Sequence, residues 1–157
     1  ENMNRAKDSE AAKIKQFVEE NKLKTTTSAS GLQYVITNPG TGEKPGAGDT
    51  VMTNYTGRVT KKIAKDIFDT TDAALAKSDR AMQPFQPMAP YGPRPLVIGE
   101  VVEGLNEGLS LLAKGGKATF IIPSVLGYGE QGARPYINPY TPLVFEIEVT
   151  DVKKAVR

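Results

Sequence analysis

The chain has 157 residues, of which 39% are hydrophobic and 24% charged, and its formal net charge is +2. This composition is typical of a globular protein with one sizeable domain, and the charge is too small to predict binding to nucleic acid. Because the chain contains neither His nor Cys, it cannot form a Ser-His-Asp triad, a Cys nucleophile, a zinc site of the usual ligands or a disulfide.

Residues 1–23 predict an N-terminal helix. The segment is polar, contains good helix formers and carries a thin apolar stripe. The stripe consists of Ala11, Ile14, Phe17 and Val18. Such a stripe docks on the body of the protein or on a partner more often than it builds a domain of its own. Residues 24–31 (KTTTSASG) have the composition of a linker.

From residue 32 onward the sequence predicts mainly strands separated by turns. Five segments show alternating or concentrated apolar and β-branched residues between turn-rich stretches. These predicted strands are residues 32–37, 50–59, 66–69, 117–123 and 142–152. No run of about 18 apolar residues interrupts them, so no membrane span is predicted.

One amphipathic helix is predicted among the strands, at residues 102–116. Four apolar residues fall at helical spacing and two glycines give a natural stop. The apolar residues are Val102, Leu105, Leu109 and Leu112, and the glycines are Gly115 and Gly116. Because strands and helices do not alternate, the pattern predicts an α+β domain with one antiparallel sheet over one helix.

Residues 72–95 form a long insert in this plan. The segment begins with a short helical turn and contains five prolines, interleaved with Phe85, Met88 and Tyr91. A loop of this length inside a compact domain is usually either functional or disordered. Prolines lower its conformational entropy and the apolar residues can pack. The composition therefore favours a binding or lid loop.

The Gly-, Pro- and Tyr-rich segment 127–141 is either a connector or the wall of a site. From the residues alone, several apolar residues are most simply part of the core of a sheet-and-helix domain. They are Phe68, Val101, Leu105, Ile137 and Phe145. On the same grounds Asp69 is most simply a turn residue.

Five blocks of sequence, in order, resemble FKBP-type peptidyl-prolyl cis-trans isomerases. The blocks are NYTG (54–57), FDTT (68–71), IGEVVEGLNEGL (98–109), GGKATFIIPSVLGYG (115–129) and PLVFEIEV (142–149). The resemblance covers residues 32–152. It implies an isomerase domain at 32–157 whose five- to six-stranded antiparallel sheet curls around one short helix, with a hydrophobic cleft between helix and sheet.

The resemblance also implies a set of site residues. The catalytic positions are Asp69, Tyr128, Phe145 and Tyr55. The substrate-binding positions are Phe68, Leu96, Val101, Val102, Leu105, Tyr136 and Ile137. In these roles the Tyr128 hydroxyl and the Val102 backbone N–H hold substrate carbonyls, and Asp69 sits at the rim, hydrogen-bonded to Tyr55.

The chain departs from the family pattern at several of these positions. Leu105 stands where a Trp usually forms the pocket floor, Leu96 replaces an aromatic residue, and Ala133 stands where a His is often found. The basic partner of the Asp is not fixed by the pattern, and Arg80 is a candidate.

Rotation about an X-Pro bond suits a chain without His or Cys. The barrier to rotation is about 18 to 20 kcal/mol and comes from amide resonance. Lowering it requires a dry apolar cleft that prefers the twisted amide, and no nucleophile, metal or cofactor. The expected ligands are proline-containing polypeptides and macrolide inhibitors of the FK506 or rapamycin type.

Three functions remain open. They are an isomerase with chaperone-like holding, an FKBP-like binding module with little turnover, and an assembly protein that forms a homodimer through helix 1–23. Because Tyr128, Asp69, Tyr55 and Phe145 occur together, the sequence favours the isomerase. An N-terminal helix and linker before such a domain resemble bacterial envelope members, which are secreted or lipid-anchored.

The expected location is therefore the periplasm or the outer membrane surface, with the cytoplasm as the alternative. The chain starts at Glu1, which is expected of a processed or trimmed product whose targeting or anchoring signal is missing.

Overall fold

A computed structural model describes residues 3–59, 67–78, 91–132, 137 and 140–156. The helices are α1 (Met3–Glu20), α2 (Ala73–Ser78) and α3 (Glu103–Leu109). The strands are β1 (Thr26–Thr27), β2 (Gln33–Asn38), β3 (Thr50–Val59), β4 (Ile67–Thr70), β5 (Arg94–Val97), β6 (Lys117–Ile122) and β7 (Leu143–Lys153). A 3-10 turn, Ser124–Leu126, follows β6.

The strands form one antiparallel sheet in the order β1-β2-β6-β7-β3-β4, and β5 also pairs with β3. Strand β3 pairs along its length with β7. On its other side, β5 pairs with Thr50–Thr53 and β4 pairs with Thr56–Arg58. Strands β4 and β5 therefore follow one another along the same edge of β3.

The predicted α+β class is confirmed, and all five predicted strands are present within one residue of their expected bounds. The described sheet has seven strands, where five to six were expected. Strand β1 lies inside the predicted linker at 24–31 and is only two residues long. Strand β5 begins inside the predicted insert at 72–95, and its Pro95 weakens any strand signal.

Helix α3 packs against the inner face of the sheet at close range. A Cβ on Gly104 would lie 2.5 Å from Ile122 Cγ2, and one on Gly108 would lie 2.8 Å from Phe120 Cε1. The two glycines let the helix backbone approach β6. The helix ends at Leu109, not at the two glycines. The N–H groups of Leu111 and Leu112 bond to carbonyls only three residues back, and Ala113 N–H bonds to the Pro39 carbonyl.

Helix α1 covers part of the opposite face of the sheet. Its Ile14 and Phe17 are buried against Ile121 of β6 and Val144 of β7. Successive strand residues point to opposite faces, so Phe120 and Phe145 belong to the core beneath α3. The apolar stripe predicted for residues 1–23 thus docks on the body of the protein, although Ala11 is exposed. Among the described helices, none is both long and apolar enough to cross a membrane.

Asp49 connects the loop before β3 to the residues that follow β7. Its side chain is only 1% exposed and accepts hydrogen bonds from the N–H groups of Ala155 and Gly46, both at 2.8 Å, and from Lys154 Nζ at 3.2 Å. The bonds from Ala155 and Gly46, and then the Lys154 ammonium, hold the pKa of Asp49 below its ordinary value of 3.8.

We expect Asp49→Asn to lower the free energy of unfolding at neutral pH. The amide loses the charge and one of the two acceptor oxygens. Because the folded-state pKa lies below 3.8, the stabilisation by Asp49 is complete above that pH and is lost as the pH falls toward the folded-state pKa. Urea unfolding between about pH 7 and about pH 3 should show the difference between the variant and the wild type shrink in acid.

Asp151→Asn is the matched control. Asp151 is half exposed and lies 3.7 Å from Lys114 Nζ, a type of ion pair that contributes only about 0 to 1 kcal/mol. A loss of stability in Asp49→Asn that is the same at all pH values would contradict the role given to its carboxylate.

Candidate functional site

Three aromatic side chains pack on the inner face of the sheet where β3, β4 and β7 run side by side. They are Tyr55, Phe68 and Phe145. The Phe145 ring lies 5.8 Å from the Tyr55 ring and 5.5 Å from the Phe68 ring, both in edge-to-face geometry. Aromatic pairs favour this arrangement. The three rings form one corner of an apolar cluster that extends beneath α3.

Gly57 makes room for two of these rings. It lies opposite Asp69 of β4 and Phe145 of β7 in the sheet register. A Cβ at this position would lie 2.7 Å from Phe68 Cζ and 2.9 Å from Phe145 Cε1. The rings therefore occupy the space where any other residue would place its side chain.

A polar group of Tyr55, Asp69 and Arg94 lies beside the aromatic corner. The Tyr55 hydroxyl donates to Asp69 Oδ2 at 2.5 Å. Arg94 Nη1 donates to the same oxygen at 2.8 Å and also to the Tyr55 hydroxyl oxygen. The guanidinium carbon lies 5.0 Å from the centre of the Tyr55 ring, within the range of a cation–π contact. The Asp69 side chain is 39% exposed and that of Arg94 is 23% exposed, so the group forms a rim.

The order of strands explains why these three residues meet. Tyr55 lies on β3 near the point where its pairing passes from β5 to β4, and Arg94 and Asp69 come from those two strands. The chain after β4 is held there as well, because Tyr55 N–H donates to Thr71 Oγ1 and Thr71 N–H donates to the Tyr55 carbonyl.

The pKa of Tyr55 is raised well above its ordinary value of 10.0. Burial is the main cause, followed by the hydrogen bond to Asp69 and the negative charge of Asp69. The nearby Arg94 acts in the opposite direction without cancelling the shift. The raised pKa keeps the Tyr55 hydroxyl protonated even at alkaline pH, so that it remains the donor in its bond to Asp69.

The turn before α3 supplies another side of the site and is held by Asn106. The Asn106 Oδ1 accepts from Gly99 N–H at 2.8 Å and from Val101 N–H at 3.4 Å, while Nδ2 donates to the Val101 carbonyl at 2.9 Å. The Val102 carbonyl accepts from the first turn of the helix. The backbone N–H of Val102 has no hydrogen-bond partner among the described residues.

The structure brings together most of the residues expected at the site. Tyr55, Phe68, Asp69 and Phe145 are linked by the ring contacts and hydrogen bonds above. The others share the apolar cluster, either buried within it or packed against it. They are Leu96, Leu105 and Ile137, which are buried, and Val101 and Val102, which are half-buried.

Tyr128 does not join this cluster. It lies in the turn after Ser124–Leu126 and is 40% exposed. Tyr136, Ala133 and Arg80 fall outside the described residues. Among the described residues, the basic partner of Asp69 is Arg94. The candidate from the sequence for this role, Arg80, is not tested. Neither Arg94 nor Asn106 was anticipated.

The chemistry available in this site is binding and orientation. An apolar corner with a donor and a carboxylate at its rim can hold an apolar ring and align a polar amide beside it. Within the described part of the chain, no three His, Cys, Asp or Glu residues cluster in a way that could hold a metal ion.

The chain is similar in sequence and in fold to known proteins of one family. The family model described as FKBP-type peptidyl-prolyl cis-trans isomerase matches residues 41–150. A probable FKBP-type peptidyl-prolyl cis-trans isomerase FkpA from Neisseria meningitidis serogroup B is 38% identical over 87% of this chain and 44% of that protein. The outer membrane protein MIP from Legionella longbeachae is 32% identical over 97% of this chain and 58% of that protein.

Solved structures show the same similarity. The crystal structure of FkpA from Escherichia coli has a TM-score of 0.73 and 32% identity, over 98% of this chain and 64% of that one. A peptidyl-prolyl cis-trans isomerase from Pseudomonas syringae pv. tomato has a TM-score of 0.72 and 29% identity, over 98% of both chains. The chain spans about half the length of the curated relatives it matches.

We expect Gly57→Ala to disturb the aromatic corner. The added methyl group would overlap Phe68 and Phe145, and overpacking of this kind costs about 1 to 3 kcal/mol. Urea unfolding would measure the loss of stability, and near-ultraviolet circular dichroism would report the displaced rings, since the chain has no Trp.

Gly46→Ala is the control, because a Cβ there would meet no atom within 4 Å. If Gly57→Ala matched this control in both stability and spectrum, the close packing described for Gly57 would be wrong.

Proposed function

Because the chain belongs to the FKBP-type peptidyl-prolyl cis-trans isomerases, we propose that it catalyses rotation of X-Pro bonds in flexible or unfolded protein segments. The observation that carries this proposal is the aromatic corner of Tyr55, Phe68 and Phe145 with the Tyr55–Asp69–Arg94 group at its rim. The apolar corner suits a proline ring, and the polar rim suits the amide that precedes it.

The energetic task of such a site is to stabilise a twisted amide relative to a planar one. The planar form owes its stability, and the barrier of about 18 to 20 kcal/mol, to resonance that also makes the amide polar. Twisting reduces that polarity, so an apolar cleft stabilises the transition state more than the ground state. Nothing in this mechanism requires an ionisable nucleophile.

The side chains take distinct roles in this proposal. Phe68, Phe145 and Tyr55 wall the pocket for the proline ring, and Leu105 forms its floor. Leu96, Val101 and Ile137 complete the apolar lining. Tyr136 is proposed as an overhanging wall.

The polar groups align the substrate backbone. The Val102 N–H and the Tyr128 hydroxyl donate to substrate carbonyls. Both Tyr55 and Arg94 donate to Asp69 Oδ2, while Oδ1 accepts no bond from a described residue and is oriented toward the reacting amide. Arg94 acts as a positioning residue, because it fixes the Asp69 carboxylate without needing to touch the substrate.

A binding module with little turnover is the second candidate. Leu105 and Leu96 stand where aromatic residues are usual, so the pocket floor is apolar but differently shaped. Leu105 is nonetheless 5% exposed and belongs to the main cluster, which favours a closed floor. A macrolide of the FK506 or rapamycin type is expected to compete with substrate for the same pocket.

An assembly role for the N-terminal helix is less favoured. Ile14 and Phe17 are already used against Ile121 and Val144 of the same chain, so a homodimer through α1 would have to use its exposed side. Light scattering of the chain over a range of concentrations tests for such a dimer.

The proposed location is the bacterial envelope, either the periplasm or the outer membrane surface with a lipid anchor. A relative that carries the name of an outer membrane protein supports this, and the cytoplasm is the alternative. Cell fractionation followed by immunodetection would decide between them.

We expect Asp69→Val and Phe145→Tyr each to lower kcat/KM for an X-Pro peptide by about ten-fold or more, which corresponds to about 1.4 kcal/mol of transition-state stabilisation. The first removes the rim carboxylate, and the second places a hydroxyl group in the apolar corner. A protease-coupled peptide assay measures the rates, and thermal unfolding checks that each variant is folded.

Asp69→Asn keeps the side-chain shape and should also lose activity, which guards against misfolding of the valine variant. Glu148→Gln is the matched control, because Glu148 is partly exposed and interacts with Lys117 at 3.8 Å. Full activity in both Asp69 variants and in Phe145→Tyr would disprove the assigned roles. Peptide binding without turnover in the wild type would favour the binding module.

A further inference from the structure

Glu10 of α1 is a buried carboxylate that the proposed reaction does not use. Glu10 is only 8% exposed. Oε1 accepts from the Ser124 hydroxyl at 2.7 Å, and Oε2 accepts from the Ser124 backbone N–H at 2.5 Å. Both carboxylate oxygens of Glu10 therefore accept hydrogen bonds from one residue, Ser124, in the 3-10 turn that follows β6.

Because Glu10 is buried, its carboxylate depends on these two hydrogen bonds. A carboxylate removed from water is unfavourable unless hydrogen bonds replace its hydration, and bonds to an ionised acceptor are stronger than neutral ones. The position of α1 is fixed independently by Ile14 and Phe17, which pack against Ile121 and Val144. The helix therefore presents Glu10 to Ser124 from a rigid base.

Ser124 in turn organises the turn that follows it. Its carbonyl accepts from the N–H of Gly127 at 2.9 Å and from the N–H of Gly129 at 2.8 Å. These are the two residues that flank Tyr128. The Gly129 carbonyl accepts from Tyr140 N–H at 2.9 Å, which ties the far side of the turn to the chain before β7. The backbone at Tyr128 is thus held on both sides by bonds that lead to Ser124.

We propose that Glu10 is a positioning residue that sets the Tyr128 turn through Ser124 and so couples the N-terminal helix to the isomerase site. Glu10 fixes Ser124 through two hydrogen bonds, and the Ser124 carbonyl in turn fixes Gly127 and Gly129, the neighbours of Tyr128. The catalytic part of this inference rests on the proposed function, in which the Tyr128 hydroxyl holds a substrate carbonyl. The mechanical part, from helix to turn, does not depend on it.

The mechanical link is tested by amide hydrogen exchange of the full chain. Glu10→Ala keeps helix propensity but leaves the Ser124 N–H and hydroxyl without this acceptor. We expect exchange of residues 124–129 to quicken by about ten-fold or more while β7 keeps its protection, because the opening is local.

Glu19→Ala on an exposed position of the same helix is the control and should exchange like the wild type. Ser124→Ala, which keeps its backbone N–H and loses only the hydroxyl bond, should give a smaller change. Unchanged exchange at 124–129 in Glu10→Ala, or a uniform increase over the whole domain, would overturn the link.

The catalytic consequence is tested by a double-mutant cycle in the proline peptide assay. Glu10→Ala should lower kcat/KM by about three- to ten-fold, and Glu19→Ala should not. In a Tyr128→Phe background the Glu10→Ala substitution should have no further effect, because the hydroxyl that it positions is gone.

An equal loss in both backgrounds would mean that Glu10 acts by general stabilisation, and it would overturn the positioning role. Full activity in Tyr128→Phe would overturn the catalytic part. A wild type with no turnover would contradict the proposed function itself, while the exchange measurement would still decide whether Glu10 holds the turn.

Discussion

The double pairing along one edge of β3 is the constraint on which the site depends. With β7 on one side and with β5 and then β4 on the other, β3 brings together residues from distant parts of the chain. Asp69 and Arg94 meet at Tyr55 because β4 ends, and β5 begins, beside Tyr55 on β3. Two residues farther along β3, Gly57 has no side chain, and the Phe68 and Phe145 rings fill the space that a Cβ would occupy.

The composition of the site is consistent with the proposed reaction. Hydrolysis needs a nucleophile, whereas rotation about an amide bond needs only an environment that prefers the less polar, twisted form. The charged groups are accordingly kept at the rim, where the Asp69 carboxylate is partly exposed and held by two donors. The apolar corner beside this rim is formed by aromatic and aliphatic side chains.

Local sequence patterns identified most of the elements but not all of the contacts between them. Alternation was enough for β2, β3 and β7, and concentrated apolar residues indicated β4 and β6, while β5 was missed because it is short and contains Pro95. Leu112 fits the helical spacing of apolar residues but lies beyond the end of α3. It is apolar because it is buried, and burial requires an apolar residue whether or not the backbone is helical. Arg94 and Glu10 were missed for a different reason. Their partners, Asp69 and Ser124, lie far away in sequence, and nothing local in the sequence marks such a pair.

The place of β7 has a consequence for how the chain acquires its structure. It is the last of the seven described strands in chain order, yet it lies between β6 and β3 and pairs with both. During vectorial synthesis the other strands would leave the ribosome before the strand that joins them. Long-range pairings of this kind slow folding and leave strand edges exposed in the meantime. While it folds, a protein of this design is therefore itself an incompletely folded chain, like the unfolded segments on which it is proposed to act.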